Sequence, residues 1–205
     1  MTERFIHETA VIGCGPRFLQ GGVKWELKDA NNPPSLPKNV YIGPFAIVGN
    51  GAVLCEGVVV DAYCRVEPSA IMGKNTLLVY RGTVGVGAVV GEDCVIGGSV
   101  SEGTKVGNRV RSFGKLIHTH ADSTQSWDFR ESGEPSPEIG DDSFVAHGAL
   151  IIGGVTVGPK AYVCAGAVIT RNVPPNHIAY GNNQIVHYSK WEGGLRENPL
   201  FKSDP

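Results

Sequence analysis

The sequence lacks any apolar run long enough to cross a membrane, and it carries no excess of basic residues. A transmembrane helix needs about 20 consecutive apolar residues, and a nucleic-acid-binding surface is usually strongly basic. This chain has 205 residues and a formal net charge of −2. Residues 1–9 also lack the basic and then apolar segment of a secretion signal. We therefore expect a soluble, cytoplasmic protein that binds neither nucleic acid nor membrane.

The five cysteines form no C-x-x-C pair, and their number is odd. Both features suit a reducing compartment without structural disulfides. Cys64 and Cys94 fall at positions that the repeat described next turns inward, where cysteine acts as a small hydrophobic residue. No cysteine lies beside a histidine in the sequence, so we do not expect a catalytic thiol.

Ten apolar residues follow one another at intervals of six. They are Ile42, Val48, Leu54, Val60, Val66, Met72, Leu78, Val84, Val90 and Ile96. A small or slender residue follows each by four positions, from Ala46 to Val100. A period of six fits neither a helix nor a lone strand, whereas positions i and i+4 of a strand point to the same side. The pattern predicts an all-β protein, a parallel β-helix in which three hexads close one triangular coil.

Outside this run the repeat has a weak start, a second strong run and one irregular interval. It returns at Ile139, Val145, Ile151, Val157, Val163 and Ile169, and a weaker start is visible at Ile6 and Ile12. Ile96 and Val106 are ten residues apart. This interval predicts a four-residue bulge at Ser101–Lys105.

Two long insertions interrupt the repeat, at about residues 19–41 and 119–138. Both are rich in residues typical of loops, such as glycine, proline, asparagine and aspartate. Ordered loops of this length are uncommon and often functional. The alternative is that both insertions are disordered, although the aromatic residues Trp127 and Phe129 indicate that the second insertion packs against another surface.

His118 and His120 lie where the repeat ends and the second insertion begins. A coil would hold an imidazole rigidly there while the loop closes over it. Histidine suits a general base because it titrates near neutral pH. The alternative is that both are polar corner residues on a solvated surface, since histidines are common at half-exposed positions.

The stretch Ile139–Ile178 reads IGDDSFVAHGALIIGGVTVGPKAYVCAGAVITRNVPPNHI. It resembles the C-terminal coils of hexapeptide-repeat acyltransferases, which include maltose and galactoside O-acetyltransferases, xenobiotic acetyltransferases and amino-sugar N-acetyltransferases. The resemblance implies a left-handed β-helix that forms a homotrimer with active sites between subunits. It also implies a histidine that deprotonates an acceptor, which then attacks the thioester of acetyl-CoA. Counting back from Ile139 matches this histidine to His120, whereas the hexad register matches it to His118, so we take His120 first and His118 second.

The resemblance also implies a co-substrate site, with no tightly bound cofactor and no metal. The family's segment A-G-[SA]-x-[VI]-T-[KR] matches residues 165–171. The implied CoA-binding residues are His147, Lys160, Ala165, Gly166, Thr170 and Arg171. Arg171 would face a phosphate of CoA, since a guanidinium suits anionic oxygens, although a solvated turn residue is the alternative.

The expected acyl acceptor is a small polar molecule with an amine or hydroxyl group. Asp122, Trp127 and Asp128 are its candidate contacts, and Glu131 and Glu134 in the same loop are further carboxylates that could hold a cationic amine. A charged loop that is only solvated is the alternative. Backbone amides near the loop junction are expected to stabilise the oxyanion of the tetrahedral intermediate.

One departure from the family pattern lies near the end of the chain. The family's ending V-P-P-x-x-[IV]-x-x-G-N-P-A appears here as VPPNHIAYGNNQIV, with Asn183 in place of proline. We expect a β-helix domain over residues 1–180 and a tail or cap over 181–205. The family's C-terminal helix is not expected, because Gly193, Gly194 and Pro199 interrupt the tail.

The sequence leaves two other functions open. Gamma-class carbonic anhydrases share the fold and bind zinc with three histidines, and Zn²⁺ with three His ligands and a water is a catalytic arrangement. Their pattern G-H-G-A-I-L-H-G matches AHGALIIG, which keeps His147 but has Ile152 at the second ligand position. A changed set of His118, His120 and His147 would be needed to bind the metal. A non-catalytic scaffold is the third possibility, which the presence of the CoA-like segment disfavours.

Overall fold

The structure is a computed structural model and describes residues 3–19, 22–27, 32–119 and 134–202. Its strands form three sheets, here named faces A, B and C. Face A contains β1 (Phe5–Ile6), β4 (Tyr41–Ile42), β7 (Val59–Val60), β10 (Leu77–Leu78), β13 (Val95–Ile96), β16 (Arg111–Ser112), β19 (Phe144–Val145), β22 (Tyr162–Val163), β24 (His177–Tyr180) and β25 (Gln184–His187). Face B contains β2 (Val11–Leu19), β3 (Gly22–Leu27), β5 (Ile47–Gly49), β8 (Arg65–Val66), β11 (Thr83–Val84), β14 (Ser99–Val100), β17 (Lys115–Ile117), β20 (Leu150–Ile152) and β23 (Val168–Ile169). Face C contains β6 (Val53–Leu54), β9 (Ile71–Met72), β12 (Val89–Val90), β15 (Lys105–Val106), β18 (Glu138–Ile139) and β21 (Thr156–Val157). Within these sheets, all strand pairings except β2–β3 and β24–β25 are parallel.

The predicted repeat and the observed register coincide. On face A, Leu78 pairs in parallel with Val60 on one side and with Ile96 on the other. Each step is 18 residues, which is three hexads. All ten leading residues from Ile42 to Ile96 are buried in one continuous core. Cys64 and Cys94 are buried in the same core, as predicted, and burial raises the pKa of both thiols.

The bulge predicted at Ser101–Lys105 is wrong. The interval of ten arises instead because the corner between faces A and B is two residues shorter than in other coils. Only Gly97 and Gly98 join β13 to β14 there. The next coil repeats this, since Phe113 and Gly114 alone join β16 to β17. Val100 is therefore the inward residue of β14 and takes the place of the next leading residue of the repeat. Ile96 pairs with Ser112, a step of 16 residues. An interval of ten in the sequence cannot distinguish an insertion from a shortened corner.

Both insertions leave the stack at the corner between faces B and C, here named the B–C edge. The first follows β2, and the chain rejoins face C at Ser35, which bridges to Val53. Part of that insertion is not loop, because β2 runs on to Leu19 and pairs antiparallel with β3. The second insertion lies between β17 and β18.

The end of the chain covers the last coil. β25 pairs antiparallel with β24, and Tyr180 lies opposite Gln184. Three short 3-10 turns follow, at Tyr188–Lys190, Gly194–Glu197 and Pro199–Phe201. Phe201 is buried and its ring stacks on Tyr188 with centroids 4.7 Å apart. Within the described ranges, no helix is both long enough and apolar enough to span a membrane.

We predict that neighbouring residues of one strand differ sharply in their contribution to stability. In β9, Met72 points inward and is 0% exposed, whereas Ile71 points outward and is 38% exposed. Met72→Ala is expected to lower the free energy of unfolding by about 2–5 kcal/mol, because it leaves a cavity in a packed core. Ile71→Ala is expected to cost less than about 1 kcal/mol. Urea unfolding of both variants measures this, and equal losses would contradict the inward register.

Candidate active site

His118 lies on the B–C edge immediately after β17. Its backbone N–H donates to the hydroxyl of Ser101 in the coil below, at 2.8 Å. Just before it, Ile117 accepts a hydrogen bond from the N–H of Gly153 in the coil above, at 2.8 Å. The imidazole therefore projects from backbone that is fixed from both sides, and its side chain is only 22% exposed.

The two ends of the second insertion meet beside this imidazole. The N–H of Thr119 donates to the carbonyl of Pro135, at 3.2 Å. This contact brings Glu134 across from His118, so that Nε2 lies 3.8 Å from a carboxylate oxygen, and the glutamate side chain is 14% exposed. The pair combines a titratable ring with a nearby negative charge, in a partly water-excluded position.

A cleft of about 440 Å³ opens in front of the pair. Its wall includes Glu102, Gly103, Lys105, Ser136 and Glu138 besides the pair itself. Ser136 donates to the carbonyl of Glu102 at 2.8 Å, and Lys105 pairs with Glu138 at 3.0 Å. Three carboxylates and one ammonium make the cleft net negative, which suits an acceptor that carries a positive charge.

Several of the predicted site residues lie outside the described residues. They are His120, Asp122, Trp127 and Asp128, together with Glu131. Of the two candidate bases, the structure therefore describes only His118. Glu134 is among the loop carboxylates predicted as possible acceptor contacts, and no feature of the sequence indicates that it would face the imidazole.

The CoA-like segment crosses face B from one edge to the other. Ala165 and Gly166 lie at the corner between faces A and B, here named the A–B edge, and Thr170 and Arg171 lie on the B–C edge. Arg171 is exposed and stands on the same edge as His118, two coils further along. With a strand spacing of about 4.8 Å, the two corners are about 10 Å apart along the stack.

The departure at Asn183 has a structural reason. Asn183 has a φ of 57°, in the turn that joins β24 to β25. Proline cannot adopt this value, since its ring holds φ near −65°. The Asn183 side chain also accepts from the N–H of Thr170 and donates to its hydroxyl, each at 2.8 Å. Asn183 thus forms the capping hairpin and fixes one predicted CoA contact.

His147 and Lys160 do not share the edge of His118 within this chain. His147 lies on the A–B edge, where its ring stacks on Phe113 with centroids 4.7 Å apart. Lys160 lies on the third edge, between faces C and A, close to Asp142. The side-chain hydrogen bond from Arg109 to Asp142, at 2.6 Å, lowers the pKa of that carboxyl, and the charges of Arg109 and Lys160 add to the effect.

The zinc alternative needs three close ligands. Among the residues that the structure describes, no group of three or more His, Cys, Asp or Glu side chains is arranged to hold a metal ion. His118 and His147 lie on different edges of the chain. The third member of the changed set, His120, is outside the described ranges.

Two hexapeptide families match the chain. The family described as bacterial transferase hexapeptide (six repeats) matches residues 136–171, and the hexapeptide repeat of succinyl-transferase matches residues 87–111. A UDP-N-acetylglucosamine acyltransferase from Francisella novicida has a similar fold, with a TM-score of 0.50 and 14% identity over 89% of this chain and 67% of that one. The fold is thus a left-handed parallel β-helix of hexapeptide repeats, as predicted.

Curated relatives include acetyltransferases. A serine acetyltransferase of Bacillus pumilus is 30% identical over 119 residues, which are 57% of this chain and 44% of that protein. The bifunctional protein GlmU of Anaplasma marginale is 26% identical over 182 residues, which are 82% of this chain and 42% of that protein. The chain spans less than half the length of these relatives. The resemblance to hexapeptide-repeat acyltransferases is confirmed.

We predict that Asn183→Pro opens the capping hairpin. Proline cannot reach the observed φ and lacks the amide N–H that donates to the carbonyl of Val168, at 3.1 Å. Hydrogen exchange should become faster across β24 and β25 but not across β10. Asn183→Gly keeps the backbone geometry and is the matched control. Unchanged protection in the proline variant would contradict this role.

We predict an acid-dependent contribution from Asp142. Because its pKa in the folded state lies below the ordinary 3.8, the charged form stabilises the fold above that pH. Stability is then lost as pH falls through the lowered value. Asp142→Asn should therefore unfold at lower urea concentration than wild type at neutral pH, and the two midpoints should converge near pH 2. A difference that grows on acidification would contradict the assigned direction.

Proposed function

We propose that this protein is an acyl-CoA-dependent acyltransferase that uses acetyl-CoA. The acceptor would be an amine or hydroxyl of a small polar metabolite, such as an amino sugar or an amino-acid-like compound. The observation that carries the proposal is the placement of His118: an imidazole on backbone that is hydrogen-bonded on both sides faces a carboxylate in a cleft, at the point where the long second insertion leaves the stack. The confirmed resemblance to hexapeptide-repeat acyltransferases supports the choice of reaction.

The proposed reaction needs one base and one oxyanion site. The imidazole of His118 or His120 takes a proton from the acceptor as its nitrogen or oxygen attacks the thioester carbonyl. Backbone amides at the loop junction stabilise the resulting oxyanion. The C–S bond then breaks, and the imidazolium returns the proton to the departing thiolate of CoA. General-base catalysis of this kind is typically worth about 10²–10⁴ in rate.

Glu134 would act as a positioning residue for His118. At 3.8 Å its carboxylate is beyond hydrogen-bond distance of Nε2. It would nonetheless stabilise the positive charge that the ring gains when it accepts the proton. The net negative charge of the cleft favours an acceptor that arrives as a cationic amine.

The residues assigned to CoA support an assembly with shared sites. Thr170 and Arg171 lie on the same edge as His118, whereas His147 and Gly166 lie on the A–B edge and Lys160 lies on the third. In a homotrimer, one edge of a protomer can face a different edge of its neighbour. We propose such a trimer, in which the base of one protomer faces CoA contacts from the next, with CoA as a dissociable co-substrate.

We predict that turnover of acetyl-CoA depends on a histidine at the loop junction. With a panel of amino sugars and amino acids as acceptors, release of free CoA thiol should fall about 10²–10⁴-fold in His118→Ala or His120→Ala. Glu134→Gln should lower kcat with little change in KM for acetyl-CoA. His7→Gln, which alters a histidine in the first coil, is the control and should keep full activity.

Binding and turnover can fail separately in this experiment. Acetyl-CoA at about 100 times its Kd should stabilise wild type and both alanine variants alike, by about 2.7 kcal/mol. Full turnover in both alanine variants would overturn the mechanism. Absence of acetyl-CoA binding, or loss of activity on adding a chelator, would overturn the proposed function.

A further inference from the structure

The two shortened coils create a notch in the A–B edge. Below the notch, four residues from Val79 to Gly82 join the two faces, and above it four residues from Ala146 to Ala149 do so. The two intervening corners have only two residues each, so they lie closer to the axis of the stack. Three coil spacings separate the full-length corners, a height of about 14 Å. The space enclosed is about 670 Å³.

The notch has an aromatic wall on one side. The ring of Phe113 lies 6.4 Å from that of Tyr80 and 4.7 Å from that of His147. Gly97 makes this possible, because a Cβ there would lie 2.6 Å from the Phe113 ring and 2.9 Å from the Tyr80 ring. Phe113 lines the notch itself, and Tyr80, beside it on the lower rim, is 72% exposed and therefore accessible for stacking.

The opposite wall is cationic and polar. It carries Lys115 and Arg81, and the guanidinium carbon of Arg81 also lies 5.2 Å from the centroid of the Tyr63 ring in the coil below. Between the two cations are the hydroxyls of Thr83 and Ser99, which are 2.9 Å apart. The floor is backbone, since Gly98 and Gly114 pack so closely that a Cβ on Gly98 would lie 1.9 Å from the Gly114 carbonyl. None of the described residues that line the notch is acidic.

The lower rim contains two consecutive residues in the left-handed region of backbone conformation. Tyr80 and Arg81 have φ values of 54° and 60°, whereas four other corners of this edge have one such residue each, namely Phe45, Tyr63, Gly148 and Gly166. Bulky side chains are uncommon in this region. The turn presents the exposed ring of Tyr80 next to Arg81 in the sequence.

From these features we infer that the notch binds a planar aromatic ring bearing an anionic group, and that a nucleoside phosphate is the metabolite class that fits. The base would stack on Tyr80, as bases stack on aromatic side chains with little dependence on sequence. The phosphate would lie toward Arg81 and Lys115, with the hydroxyl pair as further donors. The inference is argued from the rings, cations and hydroxyls of the notch itself and does not rest on the acyltransfer proposal, although His147, a proposed CoA contact, stacks on Phe113 of the notch.

Isothermal titration calorimetry with AMP and UMP tests this inference. Both nucleotides should bind, and adenosine or ribose 5-phosphate alone should bind at least about tenfold more weakly. Tyr80→Ala and Arg81→Gln should each weaken AMP binding about tenfold. Phe5→Ala is the control, because Phe5 is an exposed aromatic residue on β1, three coils below the lower rim and outside the notch.

The same titration identifies the source of the nucleotide. If CoA displaces AMP, the notch holds the nucleotide end of the co-substrate; if AMP and CoA bind together, it holds a nucleotide of another ligand. Either result supports the inference. Absence of binding by both nucleotides, or binding that Tyr80→Ala and Arg81→Gln leave unchanged, would overturn it, whatever the outcome of the turnover assay.

Discussion

Parallel pairing of each strand with the strand one coil away is the constraint on which this structure depends. A single coil cannot bury its own inward side chains, so every leading residue must lie directly over its counterpart. Leu78, for example, is covered by Val60 and Ile96. An 18-residue step preserves this alignment, and a one-residue slip would turn the core residues outward. Strand pairing therefore makes the faces rigid, and only residues that fit this packing can occupy their inward positions.

The edges are free of that constraint, and the proposed functional residues are concentrated there. A corner can lose two residues, as at Gly97–Gly98, or gain a long insertion, as after His118, while strand pairing continues on either side. The B–C edge carries both insertions and the His118–Glu134 pair. The A–B edge carries the notch with its aromatic and cationic walls. One rigid stack can thus present different surfaces along its edges.

The sequence predicts the faces well because their period is a direct consequence of packing. Residues such as Ile96 and Val145 could be assigned inward from spacing alone. The shortened corners could not be distinguished from a bulge, because only the total interval is visible in the sequence. The pairing of His118 with Glu134 could not be predicted either, since it depends on how Thr119 and Pro135 close the insertion. Asn183 was recognised as a departure, but its effect required the observed φ.

A crystal structure of the protein with CoA bound tests the central claim most directly. If the B–C edge is the site of acyl transfer, the CoA sulfur will lie in the cleft against the imidazole of His118 or His120, with the chain of CoA running past Arg171 or a neighbouring protomer. CoA bound with its sulfur away from both histidines and in open solvent would contradict the account, even if the β-helix itself were found as described.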